Sequence, residues 1–371
     1  MDTVSKLSVQ GYLSIRQLDS LNLRPLNVLI GANGAGKSNL LSVFELLGAA
    51  VSRRLQSYVL QAGGGSALLF QGADTTSQMR IEVEWSSANG PSRYVIRLSH
   101  AAPDRLVFTE ETLWFHRRGQ ETPYQELLGS AHLESALLET APTKTKETVR
   151  RTFRSRLQPM RVYHFHDTSA RAPARLMSDV DQCTHLRHDA GNLAAYLHFL
   201  RESYPFAYSR IVAAVSQVAP FFEDFVLEPQ PSSVGDKILL RWRSRDSAFE
   251  FGPHHLSDGT LRAIALITLL LQPSDKMPGL IVLDEPELGL HPQAIELVAS
   301  LVRSAADNAQ IIVSTQSPAF VDQFSPEDLI IVEQHNGESA LKRLDQHELD
   351  AWLQDFSLGE LMTRNITGGL A

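Results

Sequence analysis

Three short stretches carry residue types whose spacing suits phosphate chemistry. Gly31-Ala32-Asn33-Gly34-Ala35-Gly36-Lys37-Ser38 reads Gly-x-x-x-x-Gly-Lys-Ser, a loop in which glycines let consecutive backbone N–H groups turn toward phosphate oxygens. A lysine at position 37 can reach the β- and γ-phosphates, and the Ser38 hydroxyl can bind Mg²⁺. Leu280-Ile281-Val282-Leu283-Asp284-Glu285 is an apolar run ending in two carboxylates. The first suits a Mg²⁺ shell, and the second is placed to orient and deprotonate an attacking water. Leu256-Ser257-Asp258-Gly259-Thr260 precedes a helical pattern. Alone it is a helix N-cap; beside the other two stretches it reads as a second anion site.

The elements that must position these residues are legible around them. Leu26–Ile30 is nearly continuous apolar, as a strand buried on both faces should be. After the glycine-rich loop, Leu40, Leu41, Phe44, Leu47 and Val51 recur at helical spacing over 39–52. Lys6–Val9 and Tyr12–Ile15 read as short strands, Gly63-Gly64-Gly65-Ser66 as a flexible loop, and Met79–Trp85 with Arg93–Leu98 as a hairpin joined at Asn89-Gly90. Between residues 120 and 235 helical periodicity dominates (Leu193–Leu200, Ala207–Val218) without a sustained heptad, which excludes a long coiled coil. The last third returns to α/β alternation: Gly279–Leu283, Gln310–Ser314 and Leu329–Glu333 as strands, Pro292–Ala306 as a helix. The expected division is therefore 1–118, a mostly helical insertion at 119–235, and 236–371.

Composition bounds the rest. The 371 residues are 43% hydrophobic, enough for a real core. Lys plus Arg number 34 against 42 acids, a net charge of −8 that excludes a uniformly basic nucleic-acid coat but not a local patch. A single cysteine, Cys183, excludes an internal disulfide or a multi-cysteine zinc site. Met1–Lys6 lacks the pattern of a signal peptide, and the longest strongly apolar stretch, Ala263–Leu271, is far shorter than a membrane span. The expected location is the cytoplasm, with no membrane partner.

Together the motifs resemble the ABC-type ATPases of the RecF, SMC and OLD kind, closest to the stand-alone RecF-like predicted AAA ATPases of bacteria. Tyr163-His164-Phe165-His166-Asp167-Thr168-Ser169, Leu256–Arg262, Asp284-Glu285-Pro286-Glu287-Leu288-Gly289-Leu290-His291-Pro292, Ser314-Thr315-Gln316-Ser317-Pro318 and Ser357-Leu358-Gly359-Glu360 also match, so the resemblance covers nearly the whole chain. It implies an α/β fold: an ABC-type P-loop ATPase head with an N-terminal β-rich lobe, a RecA-like core and a helical inserted subdomain. It implies ATP and Mg²⁺ as cofactors, with Asn33, Gly34, Ala35, Gly36, Lys37, Ser38 and Asn39 on the nucleotide, and Ser38 and Asp284 on the metal. Glu285, Lys37 and Gln316 form the catalytic set. Two heads would dimerise head to tail, Ser257 and Gly259 of one contacting the γ-phosphate held by the other.

Other positions leave alternatives. Gln316 stands where transporter-type relatives carry His, and it can hydrogen-bond the γ-phosphate but cannot titrate near neutrality. Gln71 is either the glutamine linking Mg²⁺ to the helical lobe or an ordinary loop residue. Arg16 is either a basic group beside the nucleotide or a surface arginine. His291 stands where many relatives have Asp. The function implied is a switch coupled to DNA or an effector in antiphage defence or repair; the alternative is an ATP-locked scaffold holding a separate toxic effector, such as a nuclease, inactive. The roughly 40 residues after Leu329 are too few for the nuclease domain that OLD-type proteins append.

Two clusters complete the reading. Lys144, Lys146, Arg150, Arg151, Arg154, Arg156 and Arg161 could follow a phosphate backbone, Lys146, Arg150 and Arg154 sharing one helix face; a solvated face paired with Glu147 is the plainer alternative. Arg241-Trp242-Arg243-Ser244-Arg245 reads as an edge strand with a packed tryptophan. His164, His166 and Asp167, near His185 and His188, invite a metal reading, since a strand puts His164 and His166 on one face. No spacing supplies a compelling third ligand, and structural or interlobe hydrogen bonding is the expectation.

Overall fold

A computed structural model describes residues 3–233, 235–344 and 352–364. Met1 and Asp2, part of the stretch read for a leader, lie outside them. The chain divides into two compact units, one drawing on residues 1–162, 278–282 and 325–371, the other on 163–277 and 283–324.

The first unit holds a six-stranded antiparallel sheet in the order Ile15–Asn22, Thr3–Tyr12, Gln78–Ser86, Ser92–Ala101, Arg105–Phe115 and Tyr124–Gly129. Alternation drives it: in Gln78–Ser86, Met79, Ile81, Val83 and Trp85 are buried while the residues between them are not. The last strand lies past residue 118. Tyr12–Ile15, expected as a strand, is instead the reversal between the first two strands. Tyr12 pairs with Ile15, and Leu13 takes φ +47° with its N–H on the Leu68 carbonyl. An apolar residue in a two-residue turn hides that turn from a pattern reading. The loop at Gly63–Ser66 is tied down: the Asp104 carboxylate accepts the Ser66 N–H at 2.8 Å, and its carbonyl accepts the Gly65 N–H at 3.1 Å.

Beside that sheet's sequence, Leu26–Ile30 is buried along its whole length and pairs in parallel with Leu329–His335, which pairs antiparallel with Glu338–Arg343. The loop that follows Ile30 runs into the helix Lys37–Val51, which buries the residues of the periodic pattern and also Lys37, Val43, Leu46, Ala49 and Ala50.

The second unit contains the helices Leu193–Ser203, Pro205–Val218, Asp258–Leu271 and Pro292–Ala305, and the wholly buried strand Gln310–Thr315. Every residue from Leu261 to Leu271 is buried, so that helix runs through the unit's core. Arg241–Ser244 is the middle strand of a three-stranded sheet, between Phe222–Val226 and Ser247–Phe251, not an edge. Trp242 stacks on Phe251 at 4.7 Å, and Arg241 pairs with Glu250 at 3.3 Å. Among the described residues no helix is long and apolar enough to cross a membrane.

The basic run, Arg161 apart, lies on the helix Lys144–Leu157, and Arg150 on its shared face is buried. Arg150, with its side chain 8% exposed, bonds Glu126 at 2.9 Å; Lys146 reaches the same oxygen at 3.4 Å; Arg154 bonds Glu147 and the Leu137 carbonyl. These three charges are answered within the unit, which leaves Lys144 and Arg151 exposed. The face read as a candidate DNA contact is thus not an open basic surface; Glu126, which answers Lys146 and Arg150, sits on the strand Tyr124–Gly129, while Glu147, the partner of Arg154, lies on the helix itself, as the plainer alternative has it. Glu126→Ala strands a buried guanidinium, and a loss of about 3–5 kcal/mol is expected in urea unfolding; a loss under about 1 kcal/mol, the range of surface pairs, contradicts this assignment.

Candidate functional site

The phosphate-loop residues of the first unit are held by one hydrogen-bond network. Gly36 sits at φ +107° immediately before the helix, and a Cβ there would lie 2.0 Å from the Ser339 hydroxyl. Only glycine satisfies both conditions. Ser339, 1% exposed, donates its hydroxyl to the Ala35 carbonyl at 2.6 Å and shares a hydrogen bond with Ser14 at 2.7 Å; Asn39 donates to Ser14 at 2.6 Å. The Lys37 ammonium, buried at 4% exposure, donates to the Gly31 and Ala32 carbonyls at 2.6 and 3.0 Å. The lysine thus lies curled over its own loop, with the loop's N–H groups and the helix N-terminus as the anion-attracting feature.

Asn39, Ser14 and Gln71 line one cavity of about 590 Å³; Gln71 also lines a second, of about 720 Å³, with Arg16. Gln71 is exposed, at φ +55°. Arg16 is 70% exposed and lies 3.8 Å from Glu338.

In the second unit the serine turn, the carboxylate pair and the glutamine segment are interlocked. Ser257 caps the helix Asp258–Leu271 by accepting the Thr260 N–H at 3.1 Å, and it is exposed. Gly259 packs so closely that a Cβ would meet the Gly289 carbonyl at 2.4 Å. Arg175, 5% exposed, fixes the turn from behind: it bonds the Pro253 carbonyl, the Leu256 carbonyl at 3.2 Å and the Asp258 carboxylate at 2.8 Å. Arg262 bonds the carbonyls of Phe165 at 2.9 Å and His166 at 3.1 Å.

Asp284 accepts a hydrogen bond from the Ser314 hydroxyl. Glu285 is at φ +40°, a strained region for a residue with a side chain. Its N–H bonds the Ser314 carbonyl at 3.0 Å, which anchors that conformation to the strand Gln310–Thr315. Two residues on, Glu287 is 6% exposed; the Thr315 hydroxyl donates to one of its oxygens, and the other has no partner. Burial pushes its carboxyl up from 4.5 to about 6. Gln316 follows Thr315 and is half-buried. His291 caps the helix Pro292–Ala305, accepting the Gln293 N–H at 3.4 Å.

Sequence reasoning missed Arg175, Ser339, Ser314 and the Glu287–Thr315 contact. Arg175 had a signal, since it closely follows the Tyr163–Ser169 stretch; Ser339 had none, because its partners lie some 300 positions away.

Residues 26–322 match the protein family described as "AAA domain, putative AbiEii toxin, Type IV TA system". The chain belongs to this family. No curated protein matches this AAA-domain chain. Among solved structures, the SMC head bound to the C-winged helix domain of ScpA is 15% identical, with TM-score 0.63 over 94% of this chain and 99% of that one. An Smc head domain with an extended coiled coil, bound to the C-terminal domain of ScpA derived from Pyrococcus furiosus, is 12% identical, with TM-score 0.61 over 96% and 99%. The Pyrococcus yayanosii Smc head with a coiled coil and joint is 11% identical, with TM-score 0.55 over 96% and 99%. The AAA-domain protein therefore has the ABC/SMC-type P-loop ATPase head fold, the α/β class expected from its motifs.

Glu287 supplies a pH test. Between about pH 4.5 and 6 the folded chain holds a proton on this carboxyl that the unfolded chain releases, so stability falls as pH rises through that window. Glu287→Gln should remove this component: its stability relative to wild type should grow by about 2 kcal/mol across the window and then level off. A difference that is flat with pH contradicts the buried-carboxyl assignment.

Proposed function

We propose that the chain is an ATP-hydrolysing molecular switch that dimerises around ATP and couples its nucleotide state to a partner. The observation that carries this reading is the Gly36–Lys37 cradle. A left-handed glycine, buttressed by Ser339, opens a helix N-terminus beside an ammonium resting on neighbouring carbonyls. That arrangement is built for a polyphosphate.

Asn33 to Asn39 would hold the phosphates, with Lys37 moving from the Gly31 and Ala32 carbonyls to phosphate oxygens. Ser38, Asp284 and Gln71 would hold Mg²⁺, and an oxygen-rich donor set of hydroxyl, carboxylate and amide suits that hard cation. The ion, when bound, neutralises charge on the phosphate oxygens. Glu285 takes the proton of the attacking water, its backbone already turned by the Ser314 contacts. Gln316 hydrogen-bonds the γ-phosphate or that water and, having no titratable proton, senses rather than transfers. Arg16 would lie beside the nucleotide. Ser257 and Gly259 act from the second copy; the exposure of Ser257 and its rigid backing by Arg175 support a role in meeting another surface.

Two of the heads similar in fold were crystallised with a separate protein bound, the winged-helix or C-terminal domain of ScpA. We extend from this that a protein effector, rather than DNA on the helix Lys144–Leu157, receives the switch. The setting we propose is bacterial antiphage defence or DNA repair, in the cytoplasm.

Lys37→Ala should abolish ATP binding in a filter or calorimetric assay. Glu285→Gln should keep ATP binding while phosphate release falls on the order of 100-fold or more. Unchanged hydrolysis in Glu285→Gln overturns the base assignment. Near-zero release by wild type with tightly retained ATP would favour an ATP-locked scaffold instead.

A further inference from the structure

His164 and His166 follow the strand Met160–Tyr163, and neither has a part in the switch described above. Their imidazole nitrogens and a carboxylate oxygen of Asp284 all lie within 4.8 Å of one another, the one such grouping of three metal-ligating side chains among the described residues. Neither Asp167 nor His185 nor His188 belongs to it; the third group comes from far along the chain.

We infer that His164, His166 and Asp284 form a binding site for a borderline divalent cation of the zinc or cobalt class. For three atoms separated by at most 4.8 Å there is always a point within about 2.8 Å of all of them. Zinc–nitrogen and zinc–oxygen bonds are ~2.0–2.2 Å, so closing the set requires each side chain to swing in by well under 1 Å. The set is two imidazoles and one carboxylate, which leaves coordination positions for water or a ligand. Imidazole nitrogen selects the zinc-like ions over magnesium, which demands an all-oxygen octahedron.

Asp284 and Glu285 place negative charge beside the His166 ring. The Arg262 guanidinium opposes a cation here, and its Nε and Nη2 are directed at the Phe165 and His166 carbonyls. The backbone N–H of His164 bonds the His188 carbonyl at 2.9 Å, which fixes where its side chain departs. All three side chains are half-buried, open enough to admit an ion yet partly screened from water.

Asp284 is also the carboxylate assigned above to the nucleotide's Mg²⁺. A zinc-class ion at this site would hold it away from that task and lower ATP turnover; this consequence rests on the switch reading, whereas the binding itself does not.

The test uses the full chain without an affinity tag and without nucleotide. Cobalt chloride is titrated while visible absorption is read, and zinc chloride is titrated by calorimetry. One equivalent per chain is expected, with a d–d band typical of nitrogen ligation. The double substitution His164→Ala/His166→Ala should weaken binding by more than the ~10–100-fold that loss of a hydrogen bond supporting a metal ligand costs. Asp284→Asn should weaken it too, and millimolar Mg²⁺ should not compete. His166→Gln, which keeps the side-chain bulk, serves if the double variant melts below wild type. Absence of stoichiometric Co²⁺ or Zn²⁺ binding, or binding unaltered by His166→Gln and the double variant, overturns the site. ATP affinity of the wild type, measured separately, distinguishes that failure from a failure of the switch.

Discussion

A loop can hold phosphate with its backbone only if a tight, partly left-handed path is kept rigid without side chains filling the cradle. In this protein that constraint converges on Gly36. Its φ of +107° sets the helix N-terminus, and the space where its Cβ would lie is taken by Ser339. Ser339 belongs to the hairpin strand Glu338–Arg343, paired through Leu329–His335 to the strand that launches the loop. The loop is therefore clamped by the sheet it grows from. Ser14 and Asn39 extend the clamp to the turn after the first strand and to the third residue of the following helix.

The second unit obeys a similar logic with different parts. The exposed serine that caps the helix Asp258–Leu271 is fixed from behind. Arg175 does this with hydrogen bonds to two carbonyls of the preceding turn and an ion pair to Asp258. Gly259 adds close backbone packing on Gly289, so the serine turn and the segment after the carboxylate pair cannot move independently. Glu285 and Glu287 are both tied to the strand ending at Thr315, one through its backbone and one through its carboxyl. A displacement of the end of that strand would thus be felt at both acids.

The motifs were legible because each depends on a short run of residues: Gly31–Ser38, Leu280–Glu285 and Leu256–Thr260 each carry their own strand or helix boundary. Buried strands such as Leu26–Ile30 and Gln310–Thr315 were equally plain, since a doubly covered strand leaves an unbroken apolar run. What escaped depended on distant partners. The basic face of Lys144–Leu157 looks like a nucleic-acid surface until Glu126 is seen beneath it. The strand Arg241–Ser244 looks like an edge until its two neighbours are placed. His164 and His166 lack a third ligand until the fold brings Asp284 beside them. Sequence spacing carries no information of this kind.

The central claim is that ATP is gripped by the glycine cradle of one copy and closed over by the serine turn of another. Sedimentation of the Glu285→Gln protein with and without ATP tests it most directly, in parallel with the same protein carrying Ser257→Arg. The account predicts that ATP doubles the mass of the first and leaves the second a monomer. A mass indifferent to ATP, or a dimer that forms equally well with Ser257→Arg, would contradict it.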